Sequence, residues 1–280
     1  MAHPVADMLL EAAEHCRTED HRQGNVVGLT GDARVIVTGD IHGNRPNLVK
    51  IIQHAALGAD PRRVLVLQEL IHGGPTDAEG GDRSFEVLLR AVRLKQQHPA
   101  QVHFILANHD LSEMTGNEIS KDGCGACKAF RCGLDHAYGD DAAEIHQAIR
   151  TLLAALPLAV RCPNGVLITH SLPSPGREAF FDPAVFTRPY QDEDLRRGGS
   201  IYELVWGRRH TPQSLAGLIE RMGAGIFING HQPQDCGYLL NDRQLILASE
   251  HPHGTIAEFD AGEELDLDML DTIVRPIVRL

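Results

Sequence analysis

No apolar run in this sequence comes near the roughly 20 residues that a bilayer-spanning helix needs, so no membrane association is expected. The opening Met1-Ala2-His3-Pro4 lacks a basic region followed by an apolar core, so no secretory signal is expected either. Cysteine is sparse: six in 280 residues, without the distribution of a disulfide framework. These absences together imply a cytoplasmic location. Positive charge is also short. Lys and Arg total 26 against 38 Asp and Glu, a formal net charge of -12 with a pI near 5.7. A sequence-independent nucleic-acid binder needs a basic footprint instead, so nucleic acid is not an expected partner. A phosphorylated substrate stays open, because metal cations can supply positive charge locally. There is no internal repeat and no flexible linker, so residues 1–280 read as a single domain, with a motif-bearing core over about 25–260 and an N-terminal helix over 5–18. At 42% hydrophobic residues and a mean hydropathy of -0.19, a substantial core is possible.

What the chain does have is five short β-branched runs, each ending on residues that bind metals well. Val35 to Thr38 leads into Gly39-Asp40-Ile41-His42-Gly43-Asn44, and Val64 to Leu67 into Gln68-Glu69. Val102 to Leu106 leads into Ala107-Asn108-His109-Asp110, Val166 to Thr169 into His170, and Ile226 to Asn229 into Gly230-His231. Such runs read as strands buried on both faces. In open α/β sheets ligands gather outside the carboxyl ends of the strands, so five such ends could build one metal centre.

The intervening segments complete an α/β pattern. Residues 5–16 and 47–57 have helical spacing, the latter with Gly58 as its stop, and further helices are expected over 84–97, 141–156 and 211–223. Thr211-Pro212 supplies an N-cap and a first-turn proline. Residues 25–29 and 34–38, separated by Thr30-Gly31-Asp32-Ala33, read as a hairpin. The stretch 111–139 reads as a long Gly- and Cys-containing segment, 171–200 as loop, and 238–259 as further strands.

Asp40 and His42 lie two apart, which in an extended segment puts both side chains on one face. Carboxylate, imidazole and amide oxygen suit Mn²⁺, Fe²⁺ or Zn²⁺. Two such ions about 3.5–4 Å apart can orient a phosphoryl group and generate a nucleophile near neutral pH, and His109 could protonate the leaving oxygen. Asp40 with His42 alone could equally be a strand-end Asx turn. The ordered series with Asn108, His109, His170 and His231 argues for a site.

Gly39-Asp40-Ile41-His42-Gly43-Asn44, Asn108-His109-Asp110, His170 and Gly230-His231-Gln232-Pro233 resemble the motifs of calcineurin-like metallophosphoesterases, in order and spacing closest to the phosphoprotein (serine/threonine) phosphatase branch. The resemblance extends to Leu156-Pro157-Leu158-Ala159-Val160, Leu204-Val205-Trp206 and Leu245 to Glu250. It implies an α/β fold of two packed mixed β-sheets flanked by helices. It also implies two divalent ions (Mn, Fe or Zn): Asp40 and His42 on the first, Glu69 bridging, and Asn108, His170 and His231 on the second. A hydroxide between the ions would then attack a phosphomonoester, with His109 as general acid.

The second strand end departs from the family pattern. Where the family has Gly-Asp-x-x-Asp-Arg-Gly, this chain has Gln68-Glu69-Leu70-Ile71-His72-Gly73-Gly74. The bridging Asp becomes Glu69. The Asp that orients the catalytic His becomes His72, a role for which Asp110 is the candidate replacement. The phosphate-gripping Arg becomes Gly73, which leaves Arg45, Arg208, Arg209 and His72 as candidate substrate-binding residues. These departures keep two alternatives open: a nucleotide or dinucleoside polyphosphate hydrolase, and a metal-binding regulatory module without catalysis. Cys124, Cys127, Cys132 and His136 could hold zinc, but their spacing is uncommon for it, and free thiols are the simpler expectation. Trp206, the only tryptophan, reads as a packing residue.

Overall fold

The valine-rich runs form strands in two different sheets that pack face to face. The structure, a computed structural model, describes residues 3–121 and 124–280. One sheet has five strands, in the order Val274–Pro276, Thr255–Asp260, Arg34–Asp40, Arg63–Gln68 and Val102–Ile105. Its last three strands are mutually parallel. The other has seven, in the order Arg22–Gln23, Val26–Gly28, Ala159–Arg161, Val166–Thr169, Ile226–Asn229, Gln244–Leu247 and Tyr238–Asn241. Within it, Ile226–Asn229 runs parallel to both Val166–Thr169 and Gln244–Leu247. Both sheets are mixed and helices flank them, the architecture expected from the sequence.

Side-chain alternation explains why the runs are apolar throughout. Val35, Val37, Val64, Val66, Val166, Ile168, Ile226 and Ile228 share one buried layer between the sheets. The intervening Ile36, Leu65, Leu67, Leu167 and Phe227 belong to the layer beneath the helices. Valine and isoleucine thus predominate between the sheets along these strands, and leucine predominates beneath the helices. Parallel strands need crossover connections. The helices Arg45–Ala55 and Phe85–Gln97 supply them, burying Leu48, Ile51, Leu88 and Val92. The first helix, Pro4–Arg17, packs on Ala142–Leu153 and on Phe85–Gln97, and buries Leu9, Ala12 and Ala13. Among the described residues no helix is long and apolar enough to cross a membrane.

The two sheets meet at the rim where the site strands end. Asp40 forms a parallel bridge to Ala248, the Ser249 amide donates to the Asp40 carbonyl (3.2 Å), and the Gly39 amide donates to Ser249 Oγ (2.9 Å). A Cβ on Gly39 would lie 2.1 Å from the Leu247 carbonyl oxygen, so only glycine permits this seam. The carboxyl ends of strands from both sheets therefore open onto one edge.

Three local expectations need correction. Residues 25–29 and 34–38 are not a hairpin, because Val26–Gly28 and Arg34–Asp40 lie in different sheets. Val27 and Val35 both bury in the inter-sheet layer, so the intervening turn carries the chain across the sandwich. The stretch 111–139 is largely helical, over Asn108–Thr115 and Ala126–Tyr138. Its glycine at 133 marks close packing, since a Cβ there would sit 2.0 Å from the Asp82 carbonyl oxygen. The helix ending near residue 57 stops at Ala55, with Ala56 in the left-handed conformation (φ 41°), so Gly58 is not its stop.

Candidate metal centre

At the end of Arg34–Asp40 the chain turns sharply, and the same happens after Arg63–Gln68 and Ile226–Asn229. Among the described residues eight non-glycine residues have positive φ, and four of them are His42 (44°), Glu69 (45°), His72 (64°) and His231 (68°). Such backbone geometry is disfavoured for these residue types and persists where surrounding structure holds it, often at functional sites. Two of these turns set His42 and His231 on either side of Glu69, and His72 faces Glu113 behind them.

His42 Nδ1 lies 2.8 Å from the His72 carbonyl, to which it donates, leaving Nε2 with its lone pair toward the site. The buried Glu69 carboxylate stands between two sets of donors. Ligand atoms of His42, Glu69 and His109 lie within 4.8 Å of one another, and so do those of Glu69, His170 and His231. His170 is oriented by Gln68: its Nδ1 lies 2.8 Å from Gln68 Oε1, while Gln68 Nε2 donates to the Thr38 carbonyl (2.6 Å). The His170 proton therefore sits on Nδ1, and Nε2 carries a lone pair 3.0 Å from Glu69 Oε2. Asp40 stands behind this group, its Oδ1 accepting the His231 amide (2.8 Å) at 3.8 Å from His170 Nδ1.

Asn108 shows that this donor set fits a cation. One atom of its side-chain amide lies 2.7 Å from His170 Nε2 and 2.9 Å from His231 Nδ1. If that atom were the nitrogen, it would face the His170 Nε2 lone pair and both Glu69 oxygens, the latter at 3.2 and 3.3 Å. Three acceptors would then compete for two N–H groups. With the amide oxygen turned inward, Asn108, Glu69 and His170 Nε2 all present lone pairs to one another, which suits a divalent cation.

Electrostatics agree with that reading. Burial pushes the His170 imidazole down to about 4, against the opposing pull of Asp40. Burial, followed by the neighbouring His170 and Arg208, holds His231 well below the ordinary imidazole range. Both are thus neutral, as metal-ligating histidines must be. Burial and the charge of Glu69 raise Asp40 well above the usual carboxylate range. Two carboxylates this close and this buried call for a cationic partner.

The other expected residues divide. His109, at the start of Asn108–Thr115, is buried beside Glu69, its Nε2 at 3.8 Å from Glu69 Oε1 and its amide donating to the same oxygen (3.2 Å). Asp110 turns onto its own helix end, where its Oδ2 accepts the Ala107 amide at 3.0 Å. Burial and then Glu69 raise it well above the carboxylate range, so it fixes the start of the helix that carries Asn108 and His109. Of the three arginines, Arg208 reaches the group, with Nε 2.9 Å from His231 Nε2. Arg45 is exposed at the first turn of its helix, and Arg209 is exposed with its amide on Gln232 Oε1. Trp206 packs beside the site: half-buried and stacked on Tyr202, it meets the His231 ring edge-on at 5.8 Å. Both aromatics line a cavity of about 310 Å³ with Leu111, Ser112 and Thr115.

His72 lies inside the site. Its Nδ1 is 3.0 Å from His109 Nδ1 and its Nε2 is 2.9 Å from Glu113 Oε2, while Glu113 Oε1 is 2.6 Å from His146 Nε2. Burial would raise the Glu113 carboxyl, but the His146 and His72 hydrogen bonds outweigh it and hold the group down at about 2. Glu113 was missed from sequence, although it lies four residues after His109 and so on the same helix face. The cysteine cluster does not assemble. Cys127 and His136 share the helix Ala126–Tyr138, where nine residues span about 13.5 Å. Cys127 joins His72 and Glu113, and His136 joins Asp77 and Glu79. Cys127 and Cys132 are free thiols, and the Cys124 side chain lies outside the described residues.

A family model for calcineurin-like phosphoesterases matches residues 33–250. The chain is 23% identical over 234 residues to a probable serine/threonine-protein phosphatase of Encephalitozoon cuniculi, a match covering 76% of this chain and 46% of that protein. It thus spans about half the length of that relative. Among solved structures it resembles a protein serine/threonine phosphatase from Saccharomyces cerevisiae, with a TM-score of 0.68 at 17% identity over 98% of this chain and 92% of that one. It also resembles a cold-active protein-tyrosine phosphatase of a Shewanella species, with a TM-score of 0.56 at 14% identity over 89% and 80% of the two chains. At such identities these structures establish the likeness of fold.

Proposed function

The chain belongs to the calcineurin-like phosphoesterase family, and on that footing we propose that it is a dinuclear metal-dependent phosphomonoesterase acting on phosphoserine or phosphothreonine. The observation that carries this reading is the position of Glu69, whose carboxylate reaches the His42 side and the His170–His231 side alike. Asp40 and His42 would hold one ion, Asn108, His170 and His231 the other, and Glu69 would span both. The mixed oxygen and imidazole donors suit Mn, Fe or Zn. When bound, such a pair of ions supplies a nucleophile at neutral pH and neutralises phosphoryl charge.

The chain's own side chains do the remaining work. His72 and Gln68 fix the tautomers of His42 and His170 through the 2.8 Å hydrogen bonds at their Nδ1 atoms. Arg208 grips the phosphate in place of the arginine missing at Gly73, using guanidinium donors not engaged by His231. His109 delivers a proton from Nε2 to the leaving oxygen. Support for the substrate class comes from the serine/threonine phosphatases among the relatives.

The test is hydrolysis of an aryl phosphate and of phosphopeptides with Mn²⁺, Fe²⁺ or Zn²⁺. Asp40→Asn and His109→Asn are each expected to reduce kcat at least about 10²-fold, the usual scale for loss of a general acid. Full activity in both variants would overturn the assignment. Faster turnover of diadenosine tetraphosphate than of any phosphopeptide would move the substrate class.

A further inference from the structure

We propose that Glu113 is a positioning residue for His109, acting through His72, so that a carboxylate–imidazole–imidazole chain replaces the direct carboxylate contact expected at this point. The inference rests on the reading of His109 as the general acid. Its basis is the buried series Glu113 Oε2···His72 Nε2 (2.9 Å) and His72 Nδ1···His109 Nδ1 (3.0 Å).

Hydrogen-bond polarity along this series is determined from its two ends. Glu113 is a carboxylate, so His72 Nε2 donates to it. As the general acid His109 carries a proton on both nitrogens, so its Nδ1 donates and His72 Nδ1 accepts. The proton at His109 that can leave is consequently the one on Nε2, the nitrogen facing Glu69. The same polarity would follow if residue 72 were Asp. Nδ1 of histidine and Oδ1 of aspartate are both attached to Cγ, so His72 Nδ1 occupies the place of a carboxylate oxygen. Having used Nδ1 as the acceptor, the imidazole still needs an acceptor for Nε2–H in a buried setting (His72 is 0% and Glu113 2% exposed). Glu113 fills that need. Its second oxygen is held by His146 at 2.6 Å, which fixes the carboxylate against rotation. Phe130 packs edge-on against His72 with ring centroids 5.2 Å apart, fixing that ring as well.

The experiment compares wild type, His109→Asn, Glu113→Gln, His72→Asp/Glu113→Gln and His72→Ala/Glu113→Gln with Mn²⁺, on phenyl phosphate and p-nitrophenyl phosphate. Glu113→Gln is expected to lower kcat for phenyl phosphate about 10²-fold, with KM and bound metal unchanged. The loss should be smaller for p-nitrophenyl phosphate, whose leaving group needs less protonation. Adding His72→Asp should recover most of the loss, because the new carboxylate accepts directly from His109, and aspartate tolerates the positive φ at this position. The His72→Ala double variant should not recover it.

Wild-type kcat in Glu113→Gln, alongside an inactive His109→Asn, would overturn the relay and leave the phosphoesterase reading standing. Full activity in His109→Asn would instead remove His109 as the general acid, and the relay with it. If Glu113→Gln does not fold, the single variant His72→Ala decides, and wild-type kcat in it would reduce Glu113 to a structural role.

Discussion

At the scale of single residues, the site depends on side chains that leave no room behind them. A Cβ on Gly230 would lie 2.3 Å from Asp40 Oδ1 and 2.8 Å from Gln68 Oε1. Both oxygens are committed, one to the His231 amide and the other to His170 Nδ1. Gly230→Ala is therefore expected to weaken metal binding at least about tenfold, the lower range for disturbing groups that orient ligands, while circular dichroism shows the fold retained. Unchanged metal affinity would show that Asp40 and Gln68 can move without consequence. Residue identities at this scale were largely legible, because Asp40, His42, Asn108, His109, His170 and His231 each follow a strand in sequence. The contacts of His72 and Glu113 were not, since they are hydrogen bonds between elements. His72 looked unable to serve an imidazole, and only the fold reveals the carboxylate behind it.

Between elements, the end of helix Phe85–Gln97 is fastened by a fully buried cation. Lys95 pairs with Glu19 and donates to the carbonyls of Pro99 (2.9 Å) and Val102 (2.7 Å), while His103 Nδ1 lies 3.2 Å from the same Glu19 oxygen. Lys95→Met is expected to destabilise the protein by about 3–5 kcal/mol in denaturant unfolding, the scale for breaking a buried pair from one side. Burial would raise the Glu19 carboxyl, but hydrogen bonds and charge from His103 and Lys95 outweigh it and lower it below its ordinary 4.5. A carboxyl depressed by folding stabilises fully above its unfolded value and loses that contribution as pH falls through the folded one. Wild type should thus lose stability on acidification below about pH 4.5, and Lys95→Met should show a flatter acid limb. An identical limb would contradict the assignment. Elements were legible where one period dominated, as in Pro212–Met222 with Thr211 as its cap. They were illegible where a glycine served packing inside a helix, as at 133, or where two adjacent strands went to different sheets.

Across the whole molecule, the arrangement of two sheets meeting at one rim lets residues from 40 to 231 converge. The five strand ends announced that convergence in the sequence. The seam that makes it possible, with Gly39 against Leu247 and Asp40 beside Ala248, is a contact between distant segments that no local pattern encodes. Ions that bind only the folded chain add stability by mass action, about 2.7 kcal/mol at a hundredfold excess over Kd. Chelation should therefore lower Tm reversibly. The most direct test of the central claim is to strip the protein of metal, reload it with Mn²⁺, Fe²⁺ or Zn²⁺, and count ions per chain while following p-nitrophenyl phosphate hydrolysis. Two ions per chain, with hydrolysis rising as the second site fills, is the predicted result. A folded protein that takes up no metal, or whose hydrolysis is indifferent to its removal, would contradict it.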